Sequence, residues 1–286
     1  MSKRMVVLLP LLAAALPATG RLDIHAGTGL PPGRTEAYVL FDSSNERPRR
    51  IWVYTPPGYD ANAPEPYPMI VAFDGEEYLE EMPLPRVLDS LRAAGRAPAF
   101  VGVFVDDSTG GVRIADLCNT ARMTQFLGKQ LIPWVQRNWR VTTNPRHVIV
   151  TGSSAGGLGA AFVAFSRPDL FGNVWSQSGA FWRGAEASND PPWEWLTSQI
   201  NASPHKDVQF VLDVGTLENH ATLGGAGPNF MEANRRFRDA LKLKGYDVIY
   251  KEVPAGNHAP RWWWIRLPEG IVAICRAWSL EPHRAN

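Results

Sequence analysis

The stretch Gly152-Ser153-Ser154-Ala155-Gly156 has the residue types for a covalent nucleophile on a sharp turn. A serine hydroxyl attacks a carbonyl only when a base takes its proton, and that base needs a carboxylate to orient it. The pattern G-x-S-x-G supplies the nucleophile where a strand enters it and a helix leaves it. Residues 147–151 are a β-branched run that reads as a buried strand, and residues 157–165 are small and helix-compatible. Gly152 and Gly156 let strand and helix pack closely, so Ser154 is the residue lifted above the sheet, while Ser153 points elsewhere. The helix start places the Ala155 amide where a developing oxyanion would sit. The pentapeptide alone is a weak signal; its flanks and the candidate partners downstream give it weight.

Those partners are expected in the order serine, acid, histidine, each in a loop after a strand. Of six histidines, His258 comes after the last expected strand and precedes the last expected helix, in Pro254-Ala255-Gly256-Asn257-His258. His220 is the rival, placed earlier than the usual order. His25, His147, His205 and His283 fall in a lead-in, ahead of a strand, in a polar loop and in the tail. For the acid, Glu218 in Gly215-Thr216-Leu217-Glu218-Asn219 is the first candidate. Asp213 is the alternative, inside an apolar strand where an ionised carboxylate is costly to bury. A serine–histidine dyad without a close acid is the third arrangement. A second oxyanion donor is expected from the loop after the strand at 69–73, with the Glu76 amide the choice after Asp74-Gly75.

Strands expected at 35–41 and 49–55 form an antiparallel hairpin around a polar turn. Further strands are expected at 69–73, 100–105, 173–177, 209–214 and 248–253. Helices are expected at 85–94, 123–139, 230–244 and 270–278. Strands alternating with helices after a hairpin predict an α/β fold, a mostly parallel sheet with helices on both faces.

With 286 residues, 45% hydrophobic, 20% charged and net charge +1, the composition suits one large α/β domain or two small ones; nothing after residue 20 reads as a linker, so a single catalytic domain over residues 21–286 is expected. So small a net charge argues against nucleic acid as the main partner. No zinc-type spacing occurs, so no metal or cofactor is expected. Residues 1–20 carry Lys3 and Arg4 ahead of an apolar run and small residues, the pattern of a signal peptide or an anchor. A periplasmic or secreted location is therefore expected, with a cytoplasmic one the alternative. In the former, a Cys118–Cys275 disulfide is permissible.

Several linked motifs carry a resemblance: RIWVYTPPGYD at 50–60, VAFDGEEY at 71–78, RIADLCN at 113–119 and LIPWV at 131–135. VTGSSAGGLGA at 150–160, VWSQSGAFW at 174–182 and GNHAPRWW at 256–263 continue it. The chain resembles the enterochelin (siderophore) esterase-like branch of an esterase family within the α/β-hydrolases, which also includes feruloyl esterases and mycolyltransferases. The resemblance implies hydrolysis of the serine-ester trilactone of a catecholate siderophore, with Ser154 as nucleophile and His258 as base. It also implies Arg113 and Trp182 as substrate-site residues. An arginine suits an anionic or aromatic ligand and a tryptophan suits stacking, although an arginine–carboxylate pair and a packed core tryptophan are the plainer roles. Cytosolic members of that branch carry an extra N-terminal domain, and this chain is expected to match the shorter, periplasmic type. The expected function is a serine esterase acting through an acyl-enzyme on a small, aromatic ester, without stable membrane insertion unless the N-terminus is an uncleaved anchor. The alternatives are a broad or feruloyl-type carboxylesterase, an acyltransferase of the same fold, and a non-catalytic ligand-binding module.

Overall fold

An antiparallel hairpin opens the sheet: β1 (Arg34–Asp42) pairs along its whole length with β2 (Arg47–Thr55). The computed structural model describes residues 33–106, 110–118, 121–185, 193–219 and 229–280. The signal-peptide reading of residues 1–20 and the rival base His220 lie outside them. After the hairpin come β3 (Met69–Ala72), α1 (Gly75–Glu80), α2 (Leu84–Ala93), β4 (Val101–Val105) and α3 (Gly110–Leu117). Then α4 (Ala121–Phe126) runs through a π-helical turn, Leu127–Leu131, into α5 (Ile132–Asn138). The second half is β5 (Val148–Ser153), α6 (Ala155–Ser166), β6 (Asn173–Gln177), α7 (Trp195–Ala202), β7 (Gln209–Gly215), α8 (Phe230–Leu243), β8 (Val248–Val253) and α9 (Pro260–Leu280).

The eight strands lie in the order β1-β2-β4-β3-β5-β6-β7-β8. The hairpin meets β4 antiparallel, and every pairing from β4 to β8 is parallel. This is the expected α/β architecture. Its central strands are apolar on both sides because helices cover both faces. Met69, Val71, Val103 and Val150 belong to one core, which also holds Leu158 of α6 and Phe237 of α8. Ile70, Ala72, Phe104, Ile149 and Trp175 face the other core, with Leu88 of α2 and Ile271 and Ile274 of α9.

Two expectations are corrected and one open pairing is decided. The helix expected at 123–139 is interrupted by the π turn. Pro133 has no N–H to continue the ladder, and a wider turn absorbs the gap. The closing helix begins at Pro260 rather than at 270 and contains Pro268; a proline is a normal helix start, and the tryptophan run hides the helical period. No Cys118–Cys275 disulfide exists. Cys118 lies in one core and Cys275 in the other, so the sheet separates them. Burial pushes the Cys118 thiol up to about 11 and the Cys275 thiol up to about 12.

Candidate active site

β5 delivers Ser154 to the carboxyl edge of the sheet in a backbone conformation that serine rarely adopts, φ 56° and ψ −117°. Such a residue costs on the order of 1–3 kcal/mol and persists only where its surroundings fix it. Main-chain bonds do so here: Ser154 N–H donates to Gln177 O at 2.9 Å, and Ser154 O accepts from Ala180 N–H at 3.0 Å. Gly152 is required by close approach, since a Cβ there would lie 2.5 Å from Gly156 O. Strand and helix can therefore meet, and α6 begins at Ala155, directly after the serine.

Parallel registry puts the other two loops beside the elbow. Gln177 faces Ser153 on one side and Asp213 on the other, so the ends of β5, β6 and β7 are level. The ladder continues past the strands, with Leu217 N–H donating to Gly256 O at 2.9 Å. That bond joins the loop of Glu218 to the loop of His258. Gly215 keeps them in contact: a Cβ there would run into the Gly256 carbonyl and lie 2.9 Å from Glu218 Oε1. This contact brings the functional side chains together. His258 Nε2 lies 2.9 Å from Ser154 Oγ, and His258 Nδ1 lies 2.6 Å from Glu218 Oε2. Glu218 is 6% exposed, and its Oε1 accepts from Ser178 Oγ at 2.6 Å and Gly215 N–H at 2.8 Å. This is a hydroxyl, an imidazole and a carboxylate in hydrogen-bonded sequence, the layout of an activated nucleophile. Of the other histidines, His147 packs on Trp278 and His205 on Tyr246, both near the amino ends of strands and away from the elbow.

The opposite wall comes from the loop after β3. Asp74 is left-handed, φ 53° and ψ 50°, and α1 starts immediately after it. The first N–H groups of a helix have no acceptor within it, and the Glu76 amide is among them. The Glu76 side chain pairs instead with Arg50 at 3.1 Å, in solvent. Asp74 reaches the elbow helix, since a Cβ on Gly156 would lie 2.8 Å from Asp74 Oδ2. The two segments expected to donate to an oxyanion, at Ala155 and at Glu76, thus approach each other.

The profile of the "Putative esterase" family matches residues 43–274, which include the elbow, the acid, the base and the Asp74 loop. The chain belongs to this esterase family. The iron(III) enterobactin esterase of Dickeya dadantii (strain 3937) is 31% identical over 264 residues, covering 87% of this chain and 57% of that protein. The chain spans about half the length of the curated relatives it matches. The enterobactin esterase of Shigella flexneri, solved in the presence of enterobactin, superposes with a TM-score of 0.74 at 24% identity, covering 86% of this chain and 59% of that one. A ferulic acid esterase superposes with a TM-score of 0.70 at 16% identity, covering 86% of this chain and 98% of that one. At such identities the two structures show a shared fold.

Within this esterase frame the two residues expected to line the substrate site take different places. Arg113 on α3 forms a two-pronged pair with Asp74, through Nε to Oδ1 and through Nη2 to Oδ2 at 2.6 Å. Nη2 also lies 3.5 Å from Ser153 O, so the arginine braces the Asp74 loop beside the elbow. Trp182 is corrected: at 2% exposure it is a packed core residue and offers no open face for stacking. It sits edge-to-face with Phe230, centroids 6.2 Å apart, and Phe230 in turn lies 4.3 Å from the His258 ring. Phe230 is therefore an aromatic surface beside the base, and its position at the start of α8 gives no sign of that. Asp213, the alternative acid, is in the core: Arg266 Nε stands 3.9 Å away, and burial pushes its carboxyl up to about 7. Ser178 and Trp263 lie within the motifs VWSQSGAFW and GNHAPRWW, which carry no residue-level sign of their role; Trp263 Nε1 donates to Ser178 Oγ at 2.9 Å, behind Glu218. Among the described residues no group of three His, Cys, Asp or Glu side chains is arranged to hold a metal ion.

Proposed function

We propose that the chain is a serine esterase that hydrolyses carboxylic esters through an acyl-enzyme on Ser154. The observation that carries this reading is the relay from Ser154 Oγ through His258 to Glu218, with contacts of 2.9 and 2.6 Å. His258 Nε2 takes the Ser154 proton as Oγ attacks the ester carbonyl, while Glu218 holds the ring through Nδ1–H. The negative charge that develops on the carbonyl oxygen is met by the Ala155 and Glu76 amides. Collapse of the adduct expels the alcohol, which takes the proton from His258. A water molecule, deprotonated by the same nitrogen, then attacks the acyl-enzyme, and the acid leaves with Ser154 restored.

The substrate we propose is the serine-ester trilactone of a catecholate siderophore. The 31% identity to an iron(III) enterobactin esterase supports it. Arg113 and Phe230, on two sides of the elbow, are the proposed contacts for its anionic aromatic groups. The second reading is an ester of an aromatic acid, in keeping with the fold shared with a ferulic acid esterase. The basic-then-apolar start of the sequence supports a site of action outside the cytoplasm.

The test is purified chain and its Ser154→Ala variant on a catecholate trilactone and on a short-chain aryl ester. Ser154-dependent preference for the trilactone is expected. Turnover of the aryl ester alone would keep the mechanism and change the substrate, and full activity in the variant would defeat both.

A further inference from the structure

We infer that Ser178 and Trp263 are positioning residues that direct the proton relay, so that the working unit is five side chains rather than three. The inference rests on the esterase reading above. An indole N–H can only donate, and a serine hydroxyl has a single hydrogen. Trp263 Nε1 donates to Ser178 Oγ at 2.9 Å, so the Ser178 hydrogen is available to Glu218 Oε1, 2.6 Å away. Gly215 N–H donates to the same oxygen at 2.8 Å. With Oε1 filled by two donors, Oε2 is the oxygen that accepts from His258 Nδ1 at 2.6 Å. Nδ1 then carries the proton, and Nε2 turns its lone pair to the Ser154 hydroxyl at 2.9 Å. Two donor-only groups, the Trp263 indole and the Gly215 amide, act with the acceptor-only carboxylate to fix the direction of every bond up to the nucleophile.

The surrounding structure is built around this pair. Ser178 is buried and takes φ 49°, a conformation that glycine would adopt at less cost. The position therefore holds a side chain in spite of its backbone. Its N–H is anchored on Asp213 O at 2.7 Å. Trp263 meets the His258 ring edge-on, at 5.1 Å and 89°, and its carbonyl accepts from Gln177 Nε2 at 2.8 Å. The Gln177 main chain is what holds Ser154 N–H. Trp263 thus touches the base and, through Ser178, the acid, from a rigid position near the start of α9.

The experiment is steady-state hydrolysis of p-nitrophenyl acetate by the full chain as wild type, Ser178→Ala, Trp263→Phe and the double variant. Thermal melts and the downfield His258 Nδ1 proton in one-dimensional NMR spectra are recorded alongside. Ser178→Ala is expected to lower kcat by about 10- to 100-fold, the rate equivalent of losing one hydrogen bond to a charged group, with KM unchanged. It is also expected to move the Nδ1 proton resonance. Trp263→Phe, which keeps a ring but removes the N–H, is expected to lower kcat less, and the double variant to be no slower than Ser178→Ala, because the indole acts through that hydroxyl. Wild-type kcat in Ser178→Ala, or losses that multiply in the double variant, would overturn the inference. Should Ser178→Ala fail to fold, Trp263→Phe decides alone: unchanged kcat and an unmoved resonance overturn it. A wild type that neither turns over the ester nor accepts a fluorophosphonate at Ser154 defeats the esterase reading and this inference with it. A reactive wild type beside an unaffected Ser178→Ala defeats only the inference.

Discussion

Glu218 and Asp213 stand at the same end of β7, both almost fully buried, in opposite surroundings. Glu218 receives donors on both oxygens: Ser178 and Gly215 on one, His258 on the other. Asp213 has a guanidinium nitrogen no nearer than 3.9 Å, and its desolvation outweighs that charge. Its carboxyl is raised to about 7, with the Glu218 charge adding to the rise. At Asp213 desolvation outweighs both the Trp175 indole and the Arg266 charge; at Glu218 the donors hold one carboxylate oxygen toward the imidazole. The difference comes from the chain path, since Asp213 belongs to the strand and Glu218 to the loop that bends over His258.

The sharpest way to break this contrast is to remove each charge without changing shape. Glu218→Gln should lower kcat for ester hydrolysis by about 10³- to 10⁴-fold, through loss of the correct imidazole tautomer. Asp213→Asn should leave kcat near the wild-type value in the same assay. Comparable losses in both would mean that the acid has been assigned to the wrong carboxylate.

A smaller effect is expected at the joint between the acid and base loops. Gly215→Ala places a methyl group against the Gly256 carbonyl and Glu218 Oε1. Urea unfolding should report a stability loss of about 1–3 kcal/mol, typical of overpacking. kcat should fall as well, because the methyl group pushes Glu218 and His258 apart. Unaltered kcat beside the stability loss would show that the loops tolerate separation.

The smallest effect concerns stability against pH. In the folded chain Asp213 keeps its proton up to about 7, whereas unfolded it loses it near its ordinary 3.8. Between those values the folded state binds more protons, so stability falls as pH rises and levels off above about 7. Glu77 is also raised to about 7, mainly by burial and then by the Asp74 charge, and adds the same sign. Asp213→Asn should therefore make the Tm of the chain less steep across that window without making it flat. A steeper slope in the variant would reverse the assigned sign.

Much of the site was legible in the sequence because local patterns carry it. The β-branched run into Gly152-Ser153-Ser154-Ala155-Gly156 allows little except a strand, a tight turn and a helix. The order of Glu218 and His258 after their strands came from the alternation of elements. The features that stayed hidden depend on contacts between distant segments. Ser178 lies in the stretch VWSQSGAFW, but its hydroxyl acquires a role only when α9 brings Trp263 to it. Trp182 suggested a stacking surface, yet packing against Phe230 buries it. The six-residue helix α1 has no side-chain cap and begins from a left-handed aspartate, so neither period nor capping marks it. Arg113 stood out as a charge that suits a ligand, and its link to Asp74 appeared only when the sheet placed α3 beside the β3 loop.

The most direct measurement is the rate at which a fluorophosphonate adds to the wild-type chain and to its Glu218→Gln and Asp213→Asn variants, with the site located by peptide mass spectrometry. A single adduct on Ser154 is expected, formed at the same rate in wild type and Asp213→Asn and far more slowly in Glu218→Gln. An adduct elsewhere, or equal rates in wild type and Glu218→Gln, would contradict that expectation.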